Sequence, residues 1–340
     1  MGERSASPEI VVVTGASAGV GRAVAIEFAR HGAKVALLAR GSAGLAGAAR
    51  EVEAAGGQAL MIQTDVSDAA QVEAAAAHIE ATLGPIDIWI NSAMVTMLSR
   101  VSDMTPKEFQ RITEVSYHGT VYGTMVALRR MQPRGRGTIL QVGSALAYRA
   151  IPLQSAYCGA KFAIRGFTDA LRVELMSEKS GIHLTMVQLS AFNTPQFLWA
   201  RNRMPRRAQP VAPVFQPGVA ARGIYWAAHR RQRETWIGFP AYKAIIGNKL
   251  LPGLADRVLT KMGYAAQMTD EPNVGERADN LFEPAASDFG VNGPFERIAR
   301  PSSAMLWAIQ HPVLSSSFLL LALAVSGWAS ALLIGIVHRG

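Results

Sequence analysis

Ile10-Val11-Val12-Val13-Thr14-Gly15-Ala16-Ser17-Ala18-Gly19-Val20-Gly21 is the stretch that decides the fold. Four apolar residues in a row read as a strand buried on both faces, and Thr14-Gly15 as the tight turn that ends it. Helical periodicity follows from Gly19 to His31, so the glycines lie between a strand and the start of a helix. There they permit the turn, let a pyrophosphate approach the backbone and allow the helix to pack on the strand. The helix N-terminus favours the phosphate charge.

The same alternation continues outward. Lys34 to Ala39, Ala59 to Thr64 and Ile86 to Ile90 read as further strands, with helices over about Ser42–Ala55 and Ala69–Leu83 between them. A long helix from about Pro106 to Met131, a strand Thr138–Val142, a helix running to about Ser177 and a strand His183–Leu189 complete the pattern. Strands alternating with helices at this spacing predict an α/β fold, a doubly wound parallel sheet of about seven strands. After Leu189 a loop rich in Pro and Arg is placed to cover a ligand at the carboxyl ends of the strands. Residues 196–262 read as a substrate lid or membrane-interface segment, and 263–312 as an irregular connector.

The chain has 340 residues, 49% of them hydrophobic, enough for one dominant core plus an extension. Its single cysteine, Cys158, excludes an intramolecular disulfide and fits a reducing compartment. The formal charge of +9 is unevenly placed: Trp199 to Met262 carries twelve Lys or Arg against Glu234 and Asp256. Seven aromatic residues are interleaved with that charge, which favours a surface facing anionic lipid over a reader of base edges. No nucleic-acid partner is expected.

From Pro312 to Val337 no residue is charged, and Phe318 to Val337 alone is twenty residues, about 30 Å of helix and enough to cross a bilayer. No apolar signal segment precedes the first strand, and Ala6 breaks the myristoylation pattern. The expectation is a single-pass C-terminal anchor over 313–337, with the basic body facing the cytoplasm. Gly327, Ala331 and Gly335 give that span a small-residue stripe on which helices can pack.

Three residues carry the chemistry. Tyr157 and Lys161 are four apart, on one face of a helix, and Ser144 lies thirteen residues upstream of the tyrosine. A cation beside a phenol pulls its pKa down from about 10 toward the working range, giving a proton donor and acceptor for an alcohol or ketone. A serine hydroxyl can hold the reacting oxygen, and a nicotinamide can exchange the hydride. At the end of the second strand, where an acid would grip the ribose of NAD, stands Arg40. With Ser17 it is suited to a 2′-phosphate, so NADP is favoured over NAD. Asp65, followed by Val66, is placed to receive the adenine amino group or to cap a helix. The seven histidines have no metal-ligand spacing, so no metal is expected. His118, two residues past Ser116, faces away from it on a helix and is no substitute acid.

Together Gly15, Gly19, Gly21, Ser144, Tyr157 and Lys161 resemble the short-chain dehydrogenase/reductase family over about residues 8–195. The resemblance implies a Rossmann fold, NAD(P) binding, and Ser144, Tyr157 and Lys161 as catalytic residues. It implies further that Asn91 opens an element beneath the cofactor and that Thr194 contacts the nicotinamide carboxamide. Homodimers or homotetramers through the long helix and the Tyr157 helix are implied as well.

Three departures from the family pattern stand out: Ser116 for its catalytic asparagine, Met94 for a glycine, and Ser190-Ala191 for Pro-Gly. The favoured function is an alcohol–carbonyl oxidoreductase acting on an apolar, lipid-like substrate. The alternative is a catalytically impaired, membrane-tethered NADP-binding regulator or scaffold. Nucleotide-sugar epimerisation is disfavoured by the three residues between the first two glycines.

Overall fold

The structure is a computed structural model that describes residues 7–274 and 277–315. Its core is a seven-stranded parallel sheet built from β1 (Ile10–Thr14), β2 (Lys34–Ala39), β3 (Gln58–Gln63), β4 (Ile88–Asn91), β5 (Gly137–Ser144), β6 (Ile182–Leu189) and β7 (Glu234–Ile237). The order across the sheet is β7-β6-β5-β4-β1-β2-β3. It reverses between β1 and β4, and ligands bind at such a switch point, at the carboxyl ends of the strands.

The period of two along β1 sorts its side chains into two cores. Val11 and Val13 pack with α1 (Gly19–Arg30), α2 (Ser42–Ala54) and α7 (Pro217–Ala228). Ile10 and Val12 pack with α3 (Ala69–Thr82), α5 (Gly119–Met131) and α6 (Ser155–Ser177) on the opposite face. A strand covered on both sides must be apolar throughout, which is why β1 reads as an unbroken run.

Two details differ from the sequence expectation. The long helix is divided into α4 (Pro106–Thr113) and α5 by a π-helical turn over Glu114–His118. The seventh strand, β7, lies in the segment read as lid; it pairs in parallel with β6 and closes the sheet edge. Gly238, at φ +89, turns the chain from β7 into α8 (Phe239–Leu250), followed by α9 (Pro252–Met262). The stretch read as an irregular connector folds back over the sheet, with Leu281 fully buried. The expected span 313–337 falls almost wholly outside the described residues. Among the described residues no helix is long and apolar enough to cross a membrane.

Candidate active site

The glycine-rich turn is shaped by close approach. Gly15 has φ +70, and a Cβ there would sit 2.7 Å from the Ala93 Cα; a Cβ on Gly21 would sit 2.3 Å from the Gly15 carbonyl oxygen. Thr14 Oγ1 accepts from the Ser92 and Ala93 N–H groups at 3.0 and 3.1 Å, tying the exit of β4 to the turn. Helix α1 begins after Ala18, which offers no side-chain cap, and its first turn lines a cavity of about 450 Å³. An uncapped helix N-terminus behind glycines is a cradle for a diphosphate.

That cavity runs from Arg40, Asp65 and Val66 at one end, past Gly15, Ser17, Gly19 and Gly21, to Ser144, Tyr157, Lys161 and Thr194 at the other. β5 continues two residues beyond its expected end, so Ser144 is delivered by the strand terminus, where its Oγ accepts from the Leu146 N–H at 3.1 Å. On α6, Lys161 is buried and its Nζ donates to the Val142 carbonyl at 2.7 Å. Nζ lies 5.5 Å from the centre of the Tyr157 ring. Burial pushes the Lys161 ammonium down to about 8. Burial drives the Tyr157 phenol well above its ordinary value, and a hydrogen bond with Ser144 pulls it only partway back. The net direction is upward, against the expected lowering, and the Lys161 ammonium is spent on the Val142 carbonyl. Burial also raises the Cys158 thiol, which makes it a packing residue rather than a nucleophile.

Several predicted site residues stand elsewhere. Ser116 is fully buried and does not line the cavity. Its Oγ donates to the Val95 carbonyl and accepts from the Val95 N–H, and its own carbonyl accepts from Thr120 Oγ1 at 3.0 Å. The π-helical turn lets it clamp the chain after β4, so its hydroxyl is committed to structure. Asn91 also stays out of the cavity wall. It accepts from Trp89 Nε1 at 2.8 Å and donates to Gln141 Oε1 at 2.9 Å and Thr124 Oγ1 at 3.1 Å, forming a polar floor beneath Ser92 and Ala93. Met94 does line the cavity. Ser190, in place of proline, donates from Oγ to the Ile237 carbonyl at 2.8 Å and accepts from the Ala241 N–H at 3.1 Å, stitching the start of α8 to the sheet.

At the far end Arg40 donates to the carbonyls of Asn280 at 2.6 Å and Phe282 at 2.7 Å. Two of its N–H donors are thus committed to the folded-back segment, leaving the rest for a ligand. Asp65 is ion-paired to Arg111 at 2.6 Å and accepts from Ser67 at 2.7 Å. Burial opposes its charge, but Arg111 and Ser67 outweigh burial and hold the carboxyl below its ordinary value. Asp65 is not a helix cap, since Asp68 caps α3 through Ala70 and Gln71.

Sequence reasoning missed the roof. Trp199 and Phe289 both line the cavity and meet edge-on with ring centres 4.7 Å apart, joining the lid to the segment after residue 276. That segment is tied down by Asp288, which is paired with the buried Arg22, itself 2.8 Å from Glu51. Gly290 adds its carbonyl to the Gly19 N–H at 3.1 Å. The one sequence signal was Leu281-Phe282, an apolar pair in an otherwise polar stretch. Among the described residues no cluster of His, Cys, Asp or Glu can hold a metal ion.

Comparison with known proteins agrees with this geometry. The model of the short chain dehydrogenase family matches residues 9–203. The chain is 29% identical to an uncharacterized oxidoreductase, YxnA, of Bacillus subtilis (strain 168), over 95% of this chain and 90% of that one. It is 30% identical to a 3-ketodihydrosphingosine reductase of Bos taurus, over 68% of this chain and 72% of that one. A solved short-chain type dehydrogenase/reductase from Mycobacterium marinum superimposes with a TM-score of 0.59 at 28% identity, covering 67% of this chain and 93% of that one.

Proposed function

The chain belongs to the short-chain dehydrogenase family, and on that premise we propose that it is an NADP-dependent reductase that interconverts a ketone and an alcohol on a lipid-like substrate. The carrying observation is one cavity that joins the glycine-rich turn to Ser144, Tyr157 and Lys161. A nicotinamide dinucleotide fits the residues present. The start of α1 has no side-chain cap, and although its Gly19 N–H goes to the Gly290 carbonyl, the crowded turn at Gly15 and Gly21 suits a diphosphate; Arg40 with Ser17 suits a 2′-phosphate. Thr194 and Lys161 would hold the nicotinamide ribose end. When bound, the cofactor supplies or accepts a hydride at the substrate carbon.

The protein's own residues manage the proton. Ser144 orients the carbonyl oxygen by donating its hydroxyl proton in a hydrogen bond. Tyr157 then transfers its phenolic proton to that oxygen as negative charge develops on it. The raised phenol pKa keeps Tyr157 protonated at neutral pH, so the proton is present to be donated. In the reverse direction the phenolate must be stabilised, and Lys161 has to turn from Val142 toward the ribose and phenol to do so. Leu146, Ile151, Phe192, Phe197 and Val211 make the substrate end of the cavity apolar. This, with the ketosphingoid reductase among the relatives, supports a long-chain ketone as substrate.

The proposal extends to place and assembly. The uncharged run Phe318–Val337 supports a C-terminal membrane anchor with the body on the cytoplasmic side. Exposed Met125 on α5 and Phe162, Val173 and Met176 on α6 support pairing of two or four copies through these helices.

The test is oxidation of NADPH against NADH by detergent-solubilised protein with a panel of short- and long-chain ketones, and Tyr157→Phe as control. Loss of roughly 10²–10⁴-fold in Tyr157→Phe is expected. Equal rates in the two proteins refute the mechanism, and preference for NADH refutes the role of Arg40.

A further inference from the structure

α9 is a helix with no buried residue, although the protein that carries it is well packed. Its apolar side chains form one stripe with neighbours from the α8–α9 junction. Leu251 is 59% exposed, Leu254 53%, Val258 46% and Met262 62%. The spacing of four residues places Leu254, Val258 and Met262 on a single helical face, with Leu251 at the N-cap before it. Exposed Leu250, Phe239 and Tyr242 extend the apolar surface onto α8. A helix of eleven residues with nothing buried against its apolar face has little reason to be stable in water.

The charge around this stripe is one-sided. α8 and α9 carry Lys243, Lys249, Arg257 and Lys261 against Asp256 alone, and Asp256 is paired with Arg149 at 2.6 Å. On the helical wheel Arg257 and Lys261 border the apolar stripe, whereas Asp256 and Thr260 lie opposite it. Apolar side chains edged by long cationic ones match a bilayer whose headgroups are anionic, since each ammonium or guanidinium reaches the phosphates while its stem stays in the apolar layer.

Two further observations favour lipid over a second copy. α8 is two-faced: Ala241 and Ala244 line the active-site cavity, while Phe239, Tyr242 and Lys243 face out. The helix Ala304–Gln310 packs by Leu306 in the same apolar cluster as Ile237, the residue before the Gly238 turn into α8. The uncharged run Phe318–Val337 therefore follows a segment docked on this edge of the sheet. We infer that α8 and α9 form a docking surface for anionic lipid bilayers, which sets the apolar wall of the active-site cavity against the membrane.

The test reads burial of the stripe, because an anchor alone would bring the protein to vesicles without burying α9. It needs no activity, so its failure is distinct from failure of the proposed reaction. The full chain, carrying Leu254→Cys, Val258→Cys or Met262→Cys, is labelled with an environment-sensitive fluorophore. Thr260→Cys on the opposite face and Glu53→Cys on α2 serve as controls; native Cys158 is buried. The proteins are reconstituted in phosphatidylcholine vesicles with or without phosphatidylglycerol. The expected result is a blue shift at 254, 258 and 262, larger with phosphatidylglycerol and reduced by salt, with none at 260 or 53. No shift at the three stripe positions overturns the inference. So does an equal shift at all five, or a shift that grows with protein concentration in detergent and is unchanged by lipid, which would assign the face to a second copy.

Discussion

Replacing Asn91 by alanine should unfold the protein more readily while sparing cofactor binding. The side chain is buried beside Trp89 and Gln141, both fully enclosed. It accepts from Trp89 Nε1 at 2.8 Å and donates to Gln141 Oε1 at 2.9 Å. Thr124 would keep its bond from Gln141 Nε2 at 2.8 Å. The Trp89 N–H and the Gln141 Oε1 would be left without a partner and without access to water. Each such orphan costs about 1–3 kcal/mol, roughly 2–6 kcal/mol in all. At about 2 °C per kcal/mol for a chain of this size, the thermal midpoint should fall by roughly 4–12 °C. Scanning calorimetry in detergent measures that fall, and nicotinamide fluorescence titration at a temperature well below the midpoint measures affinity. The dissociation constant for NADPH should stay within about threefold, less than 1 kcal/mol. An unchanged midpoint with NADPH binding lost would refute the reasoning and return Asn91 to the cofactor's own contacts.

Lys161, with its ammonium pushed down to about 8, should lose its proton as pH rises through that value, so kcat/KM for NADPH should fall on the alkaline side with an apparent pKa near 8. The sign for stability is opposite. Burying the charged form is a penalty below pH 8, relieved as the pH rises from about 8 toward the ordinary lysine value, so Lys161→Met should gain stability below pH 8 and lose the alkaline limb. Asp288→Ala releases the roof from Arg22, which keeps Glu51 and the Ser17 carbonyl. A loss of about 1–2 kcal/mol should raise the NADPH dissociation rate roughly 5–30-fold in stopped flow and expose 277–295 to protease. Gly21→Ala puts a Cβ 2.3 Å from the Gly15 carbonyl oxygen; the strain of about 1–3 kcal/mol should weaken NADPH binding roughly 5–150-fold by titration, with the far-UV spectrum unchanged.

The parallel sheet was legible because its strands are buried on both faces and announce themselves as apolar runs between helical periods. β7 was not, because Glu234-Thr235-Trp236-Ile237 is four residues long, half polar, and becomes a strand only by pairing with β6 at the sheet edge. Ser144, Tyr157 and Lys161, which line one cavity, could be read from their spacing, since α6 and most of β5 are themselves predictable. The surroundings of Ser116 were not legible for a local reason. A π-helical turn rotates it away from the cavity and onto Val95, and no spacing rule marks that turn.

Residue order alone therefore determined the alternating architecture, the glycine cradle and the tyrosine–lysine pair, because each depends on neighbours within one or two turns of chain. Only the tertiary structure decided that Arg40 shares its guanidinium with Asn280 and Phe282, that Asn91 supports the floor without entering the cavity, and that Lys161 points at Val142. Those outcomes depend on contacts between residues tens to hundreds of positions apart. Local propensity carries no record of such contacts; burial and hydrogen-bond geometry choose among them after the chain has closed.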